Sequence, residues 1–414
     1  MTGPGPRPSP GDDFDPARSQ APEDVYAMYA RLRERCPVAY SSAYGGHWAL
    51  SRYADVRAAA SDAQTFISSV RAVVPSDPRG LRRPPLNFDA PRHTPYRRAL
   101  DRTLQRQRVA GLEGRLGAHA ARELEPMLAR GGGDVAQEYG ARFPAWVTVE
   151  WLNLAPDIAP VLADRATRWV NAWREEDHAA VNEHSEHMYR IARDLVAARE
   201  REPLPVGQDP ASSLLAERHD GAPLDREQIV GALRQSLVVG MVAPPILLGS
   251  ICAHLSADPA LQRRLRSDPA LLPDAVEEFL RLYTPYRGFA RTVSHEQVLH
   301  GRTIRPGEPV TLSYASANRD ETVFDEPGTF RLGRSNIREH LAFGRGRHRC
   351  AGMPLARLGI RVALRTLLTR TRHFELAGEI EGARMPEVGA VSVPLTLRRA
   401  ATEAHPAREC AHEF

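Results

Sequence analysis

Residues 225–256 repeat their apolar side chains at helical spacing without a break, and a helix of that length sets the scale of whatever encloses it. At about 1.5 Å per residue it crosses most of a domain, and Asp225 is placed to cap its first turn. Its most apolar run, 237–249, is too short to span a bilayer and is interrupted by Pro244–Pro245. The expectation is therefore a bent core helix and no membrane association. Further period-3.6 patterns cover 21–35, 54–60, 111–130, 160–173, 186–201 and 351–369. Two β patches stand beside them. Residues 37–40 pair with 47–50 across Gly45–Gly46, and 298–304 and 308–314 flank Arg305–Pro306–Gly307. With no repeat and no central linker, the chain reads as mostly α with small β-sheets. The expectation is a single domain over 19–400, between a disordered tail at 1–18 and a C-terminal tail at 401–414.

Composition narrows the chemistry. The 414 residues contain no lysine, so all 55 basic side chains are arginine. A P-loop, a pyridoxal Schiff base and a protein-kinase site each need a lysine and are excluded. The net charge of +4 and the absence of a basic run argue against a nucleic-acid partner, and the arginines read mainly as solvated helix faces. The first residues lack the apolar core of a signal peptide, which predicts a cytoplasmic protein. The cysteines at 36, 252, 350 and 410 lie far apart without a CxxC pair, so neither a disulfide framework nor a structural zinc site is expected.

The densest motif is His340-Leu-Ala-Phe-Gly-Arg-Gly-Arg-His-Arg-Cys350-Ala-Gly-Met-Pro, with Phe343, Gly344, Gly346, His348, Cys350 and Gly352 in fixed spacing. Glycines ahead of the cysteine permit positive φ and a close backbone approach, so N–H groups can face a sulfur anion. A helix starting after Cys350 would add its positive end and favour the thiolate. Such a thiolate is a good axial ligand for haem iron.

This loop resembles the haem-binding signature of the cytochrome P-450 superfamily, particularly its soluble bacterial members, and the resemblance extends over roughly 21–397. Glu278-Phe-Leu-Arg281 matches the family's E-x-x-R, 72 residues before Cys350. Phe324-Asp-Glu-Pro327-Gly-Thr-Phe330 leads to Arg334, which the resemblance joins to Glu278 and Arg281 in a bracing network. His93 and Arg97 share one helix face and match a propionate clamp, with Arg291 and His348 as the other propionate partners. The resemblance implies a triangular helical prism around a buried haem b, with Cys350 as metal ligand and Phe343 and Gly352 as cofactor neighbours. It also implies electrons from NAD(P)H through a ferredoxin and its reductase, and a monomer.

One block departs from the family pattern. The resemblance places an acid and an alcohol on the long helix, where they deliver the protons that oxygen cleavage needs. This chain has Val239-Gly240-Met-Val242-Ala243-Pro244, so the catalytic positions Gly240, Val242 and Ala243 carry no side-chain proton donor. Pro244 and Pro245 also leave the carbonyls of Gly240 and Met241 without intrahelical donors. Three readings stay open. The first is an oxygen-activating monooxygenase that draws protons from water at those carbonyls or from its substrate. The second is a peroxide-dependent peroxygenase. The third is a non-catalytic haem-binding regulatory or recruiting protein. A helical binding protein without haem is a remoter alternative.

Positions that face substrate in the family are Val239, Tyr286, Arg287, Gly288, Phe289 and Val391, with part of 70–87. Arg287 either binds a substrate carboxylate or phenolate or turns to solvent, and it points to a moderately polar aromatic, amino-acid or peptide-like substrate. Arg345, Arg347 and Arg349 either steer an acidic ferredoxin or are ordinary solvated arginines. The resulting expectation is hydroxylation or oxidative coupling of a small molecule or short peptide in specialised metabolism.

Overall fold

A computed structural model describes residues 11–75 and 82–400. The principal helices are α1 (Pro22–Arg35), α2 (Tyr53–Ser61), α3 (His93–Arg102), α4 (Glu113–Arg130), α5 (Ala141–Leu152), α6 (Ile158–Arg174), α7 (His178–Arg201), α8 (Arg226–Ala257), α9 (Leu272–Leu282) and α10 (Met353–Arg370). The largest sheet joins β1 (Val38–Ser41), β2 (His47–Leu50), β3 (Phe66–Ile67), β4 (Phe289–Val293) and β5 (Pro309–Leu312) in the order β1-β2-β5-β4-β3. The architecture is mostly helical with small sheets, as the periodicity implies.

α8 is the axis of the molecule. Asp225 accepts the N–H of Gln228 at 2.9 Å, which supplies the expected cap. The helix is apolar on most of its circumference because α5, α6 and α7 pack around it, and its residues join the principal core cluster. By length and composition it is long and apolar enough to cross a membrane, but 67% of its apolar window is buried against the rest of the chain. It runs as one continuous helix through Pro244 and Pro245. The prolines remove two N–H donors without ending it, since the packing on both sides of the pair holds the helix together.

Local differences from the sequence reading have physical causes. α5 escapes periodicity because ten of its residues are buried, leaving no polar face to alternate with. Residues 298–304 form a hairpin of their own, with Val298 opposite Thr303 and the turn at His300–Gly301, both at positive φ. β5 instead pairs in parallel with β2 and antiparallel with β4. The segment read as a disordered tail is docked from Gly11 onward: Asp12 accepts the Ser42 hydroxyl at 2.8 Å, and Asp13 accepts the Tyr40 N–H at 2.7 Å. Residues 1–10 and 401–414 lie outside the described residues, as do 76–81 within the segment 70–87.

Candidate haem-thiolate site

The cysteine loop is shaped by its glycines. Gly344 and Gly346 have φ of +67° and +69°, where only glycine is unstrained. A Cβ on Gly346 would lie 2.3 Å from the carbonyl oxygen of Ala60, so the loop lies against the end of α2. The Cys350 N–H donates to Phe343 O at 2.8 Å, and α10 begins at Met353 with Gly352 as its N-cap. Burial pushes the Cys350 thiol up, while the N–H groups of Gly352 and Met353 and the charges of Arg97 and Arg357 pull it down. Burial wins, so the helix end alone does not favour the thiolate as expected. A metal cation on the sulfur is what deprotonates a thiol outright. The cysteine nonetheless has exposed surface.

Around the loop lies a set of imidazoles and guanidiniums with unfilled bonding capacity. His93 is buried, both of its ring nitrogens lack a hydrogen-bond partner, and its ring meets that of His348 edge-on at 4.6 Å. Burial foremost, then the charges of His348, Arg97 and Arg347, lower His93 to a pKa of about 3. His348 Nε2 stands 3.5 Å from Asp89 Oδ1, too far for a good hydrogen bond. Arg291 is buried and donates to Ala290 O at 2.8 Å. Arg97 binds Asp101 at 2.8 Å and reaches the carbonyl oxygens of Arg347 and Arg349, tying α3 to the cysteine loop. Two imidazoles and two guanidiniums gathered beside the cysteine loop, with orphaned buried nitrogens among them, fit a group bearing two carboxylates. Haem is such a group, and the residues present fit it.

Behind the loop, Glu278 and Arg281 on α9 form a bidentate pair with both bonds at 2.8 Å, and Arg334 adds a 2.7 Å bond to the same carboxylate. Arg281 also donates to the carbonyls of Asn318 and Pro327 at 2.9 and 2.8 Å. Nearby, Glu277 joins His340 and Arg357 under the loop, and Arg357 lies over the Phe343 ring at 5.0 Å.

On α8, Val239 is 47% exposed although Val238 and Met241 beside it are buried. Gly240 and Ala243 are half-buried on the same side, which gives the helix one open strip. Val242 is buried with Val238, Val170 and Met188, and Tyr286 and Trp169 pack on that cluster. The α8 residues of this turn carry no acid or hydroxyl, although the buried Thr148 hydroxyl oxygen lies 3.1 Å from where a Cβ on Gly240 would stand.

Tyr286 packs against Phe289 at 5.0 Å, and Val391 is half-buried on the strand Ala390–Ser392. Two expected pocket residues are engaged with the backbone, although Arg287 also borders a cavity. Arg287 is fully buried and donates to the carbonyls of Glu387 at 2.9 Å and Pro16 at 2.7 Å, because the docked segment from Gly11 needs a partner for its carbonyls. Gly288 is pressed on β5, where a Cβ would meet Leu312 O at 2.1 Å. Asp89 escaped the sequence reading. Burial opposes its charge, yet the nearby His348 ring and the N–H groups of Ser68 and Ser69, each donating at 2.9 Å, hold it well below the usual carboxylate range. Its only signal was its place four residues ahead of His93.

The family model described as Cytochrome P450 matches residues 255–391, which include Cys350. The chain is 32% identical over 380 residues to cytochrome P450 130 of Mycobacterium tuberculosis, covering 88% of this chain and 92% of that one. It is 30% identical over 381 residues to the mycinamicin IV hydroxylase/epoxidase of Micromonospora griseorubida, covering 89% and 94%. The crystal structure of CYP108D1 from Novosphingobium aromaticivorans superposes with a TM-score of 0.80 at 28% identity, over 91% of this chain and 95% of that one.

Proposed function

The chain belongs to the cytochrome P450 family, a haem-thiolate oxidoreductase by that membership, and on this premise we propose that Cys350 is its axial ligand and a small organic molecule its substrate. Bound haem supplies the chemistry of oxygen insertion. Cys350 is supported over the other cysteines by its place. It is the sole cysteine in 255–391, whereas Cys252 is sealed in the apolar core on α8, where burial holds its thiol protonated.

The observation that carries the site is His93, a buried imidazole with two unpartnered nitrogens against His348. His93, Arg97, Arg291 and His348 hold the propionates, Phe343 and Gly352 line the sulfur side, and Glu278, Arg281 and Arg334 brace the segment leading into the loop. Val239, Gly240 and Ala243 present the open strip of α8 to the reacting side, with Tyr286, Phe289 and Val391 as further walls. The carbonyls of Gly240 and Met241, which no proline N–H can satisfy, are the acceptors at which water can be held there. The reaction is hydroxylation or oxidative coupling within specialised metabolism; a relative named as a hydroxylase/epoxidase supports the hydroxylation. The protein works in the cytoplasm. A second reading, peroxide as oxidant, is favoured by the apolar surroundings of Val242.

Electrons come from an acidic ferredoxin and its NAD(P)H-dependent reductase. Support lies in a surface hollow of about 610 Å³ beside the loop, lined by His93, Arg97, Arg98, Arg102, Asp101 and Arg347. The carbon monoxide difference spectrum of the reduced protein tests the ligand. A thiolate-type Soret band lost in Cys350→Ala is expected, and its persistence in that variant rejects the assignment. Product formation with peroxide alone, compared with the ferredoxin system, separates the two oxidants.

A further inference from the structure

The end of α6 holds a polar pair that the haem site does not use. Arg174 Nε and Glu387 Oε2 are buried, each lacks a hydrogen-bond partner, and they face one another at 3.7 Å. That separation leaves both groups short of a bond. Arg174 also lines a cavity of about 320 Å³, shared with Trp173, Glu176, His178, Arg287 and Arg384 among the described residues. Three guanidiniums against one flanking carboxylate make this lining positive, before Glu387 is considered.

The cavity is tied to the proposed reaction site by one helical turn. Val170, four residues before Arg174, packs in the cluster with Val242 and Tyr286, and residues four apart share a helix face about 6 Å from each other. Tyr286 and Glu387 are in turn joined by a β-bridge. A molecule reaching from Arg174 along this face therefore meets a cationic end and an apolar, aromatic end.

We propose that the cavity binds the carboxylate of an amphipathic organic substrate on Arg174, with Glu387 as the internal group that the carboxylate displaces and the apolar body lying toward Val170, Tyr286 and Val242. This rests on the oxidoreductase reading, and it names the substrate class of that site. Arg384 closes the same corner, donating to the carbonyl of Arg174 at 3.2 Å. Arg287 is spent on backbone carbonyls, which leaves Arg174 to take the charge.

Glu387 makes the site responsive to pH. Burial raises its carboxyl to about 7 against the pull of Arg174 and Arg287. The other charged or titratable groups around it are Arg384, Glu176, His178 and Tyr286. Below pH 7 Glu387 is neutral and Arg174 is free for a substrate carboxylate. Above it the glutamate ionises and competes.

The test uses ferric holoprotein, with 4-phenylbutyrate and its uncharged amide as probes, read by tryptophan fluorescence and by the Soret shift. The carboxylate is expected to bind about tenfold or more tighter than the amide, the range of a hydrogen bond to a charged group. Its affinity should weaken from pH 6 to pH 8. Arg174→Gln should level the two probes, Arg174→Lys should keep part of the preference, and Glu387→Gln should abolish the pH dependence. Equal affinities in the unmodified protein, or a preference that survives Arg174→Gln in a folded variant, overturn the proposal. The carbon monoxide band of the same preparation reads the Cys350 assignment separately, so a protein that shows the band without the preference fails this inference alone.

Discussion

Arg334 reaches back 56 residues along the chain to donate its Nε to Oε1 of Glu278 at 2.7 Å, the oxygen that also accepts from Arg281 Nη2. All three side chains are almost wholly buried. Removing one partner therefore strands a buried charge, which costs about 3–5 kcal/mol in sites of this kind. Arg334→Leu should lower the thermal unfolding midpoint of the apoprotein as well as of the holoprotein. A change confined to the holoprotein would place Arg334 on the cofactor and not in the brace.

Acid should unfold the protein partly through Glu277. Burial raises its carboxyl, but bonds from His340 and Arg357 more than reverse that and lower it from 4.5 to about 2. A depressed carboxylate stabilises the fold above its unfolded pKa, and that contribution fades as pH falls from 4.5 towards about 2. Unfolding midpoints measured across this window should drop less steeply in Glu277→Gln than in the unmodified chain. Parallel curves would contradict the assignment.

The helices and the site were legible to different degrees. Amphipathic α1, α4 and α6 announce themselves because one face meets water. α5 does not, since its burial erases the period. The glycines of the cysteine loop were readable because positive φ leaves a residue-type signature, and Glu278, Arg281 and Arg334 because the resemblance supplied their spacing. The engagement of Arg287 is not legible: nothing in its local sequence shows that the carbonyls of Pro16 and Glu387 come to lie against its guanidinium. The pairing of Arg174 with Glu387 joins residues more than two hundred positions apart, a contact that the fold creates and no local pattern records.

Two glycines of one motif should respond differently to the same methyl group. At Gly346, φ is +69° and a Cβ would lie 2.3 Å from Ala60 O, so Gly346→Ala must shift the loop or α2. Strain of this kind costs about 1–3 kcal/mol. At Gly352, φ is −73° and the nearest atom to a Cβ is the Cys350 sulfur at an ordinary 3.9 Å. Gly352→Ala should fold with nearly unchanged stability. Thermal unfolding of the two apoproteins measures the difference directly.

His93 should govern how tightly the cofactor is held. Its imidazole is neutral in the bare protein, lowered to about 3 by burial and the nearby cations, so it can donate one hydrogen bond without bringing a charge. Losing a hydrogen bond to a charged group costs about 1.5–3 kcal/mol, roughly ten- to a hundredfold in an equilibrium constant. Haem transfer from His93→Phe to apomyoglobin should be faster by a factor of that order. Unchanged transfer would remove His93 from the clamp.

Ala243 offers the sharpest test of how the chain manages without an acid and an alcohol. It lies on the open strip of α8, so a larger side chain has room, whereas Val242 is packed among Val170, Val238 and Met188 and would bury any acid placed there. Pro244 leaves the carbonyl of Gly240 without its helical donor, and a hydroxyl introduced at 243 is three residues from that carbonyl. Ala243→Thr therefore supplies a donor where the unmodified chain must rely on water. With the ferredoxin system, the product formed per NAD(P)H consumed should change, whereas with peroxide as oxidant the effect should be smaller, because fewer protons have to be delivered. Identical coupling in the two proteins would show that protons reach the site by a route that does not pass position 243.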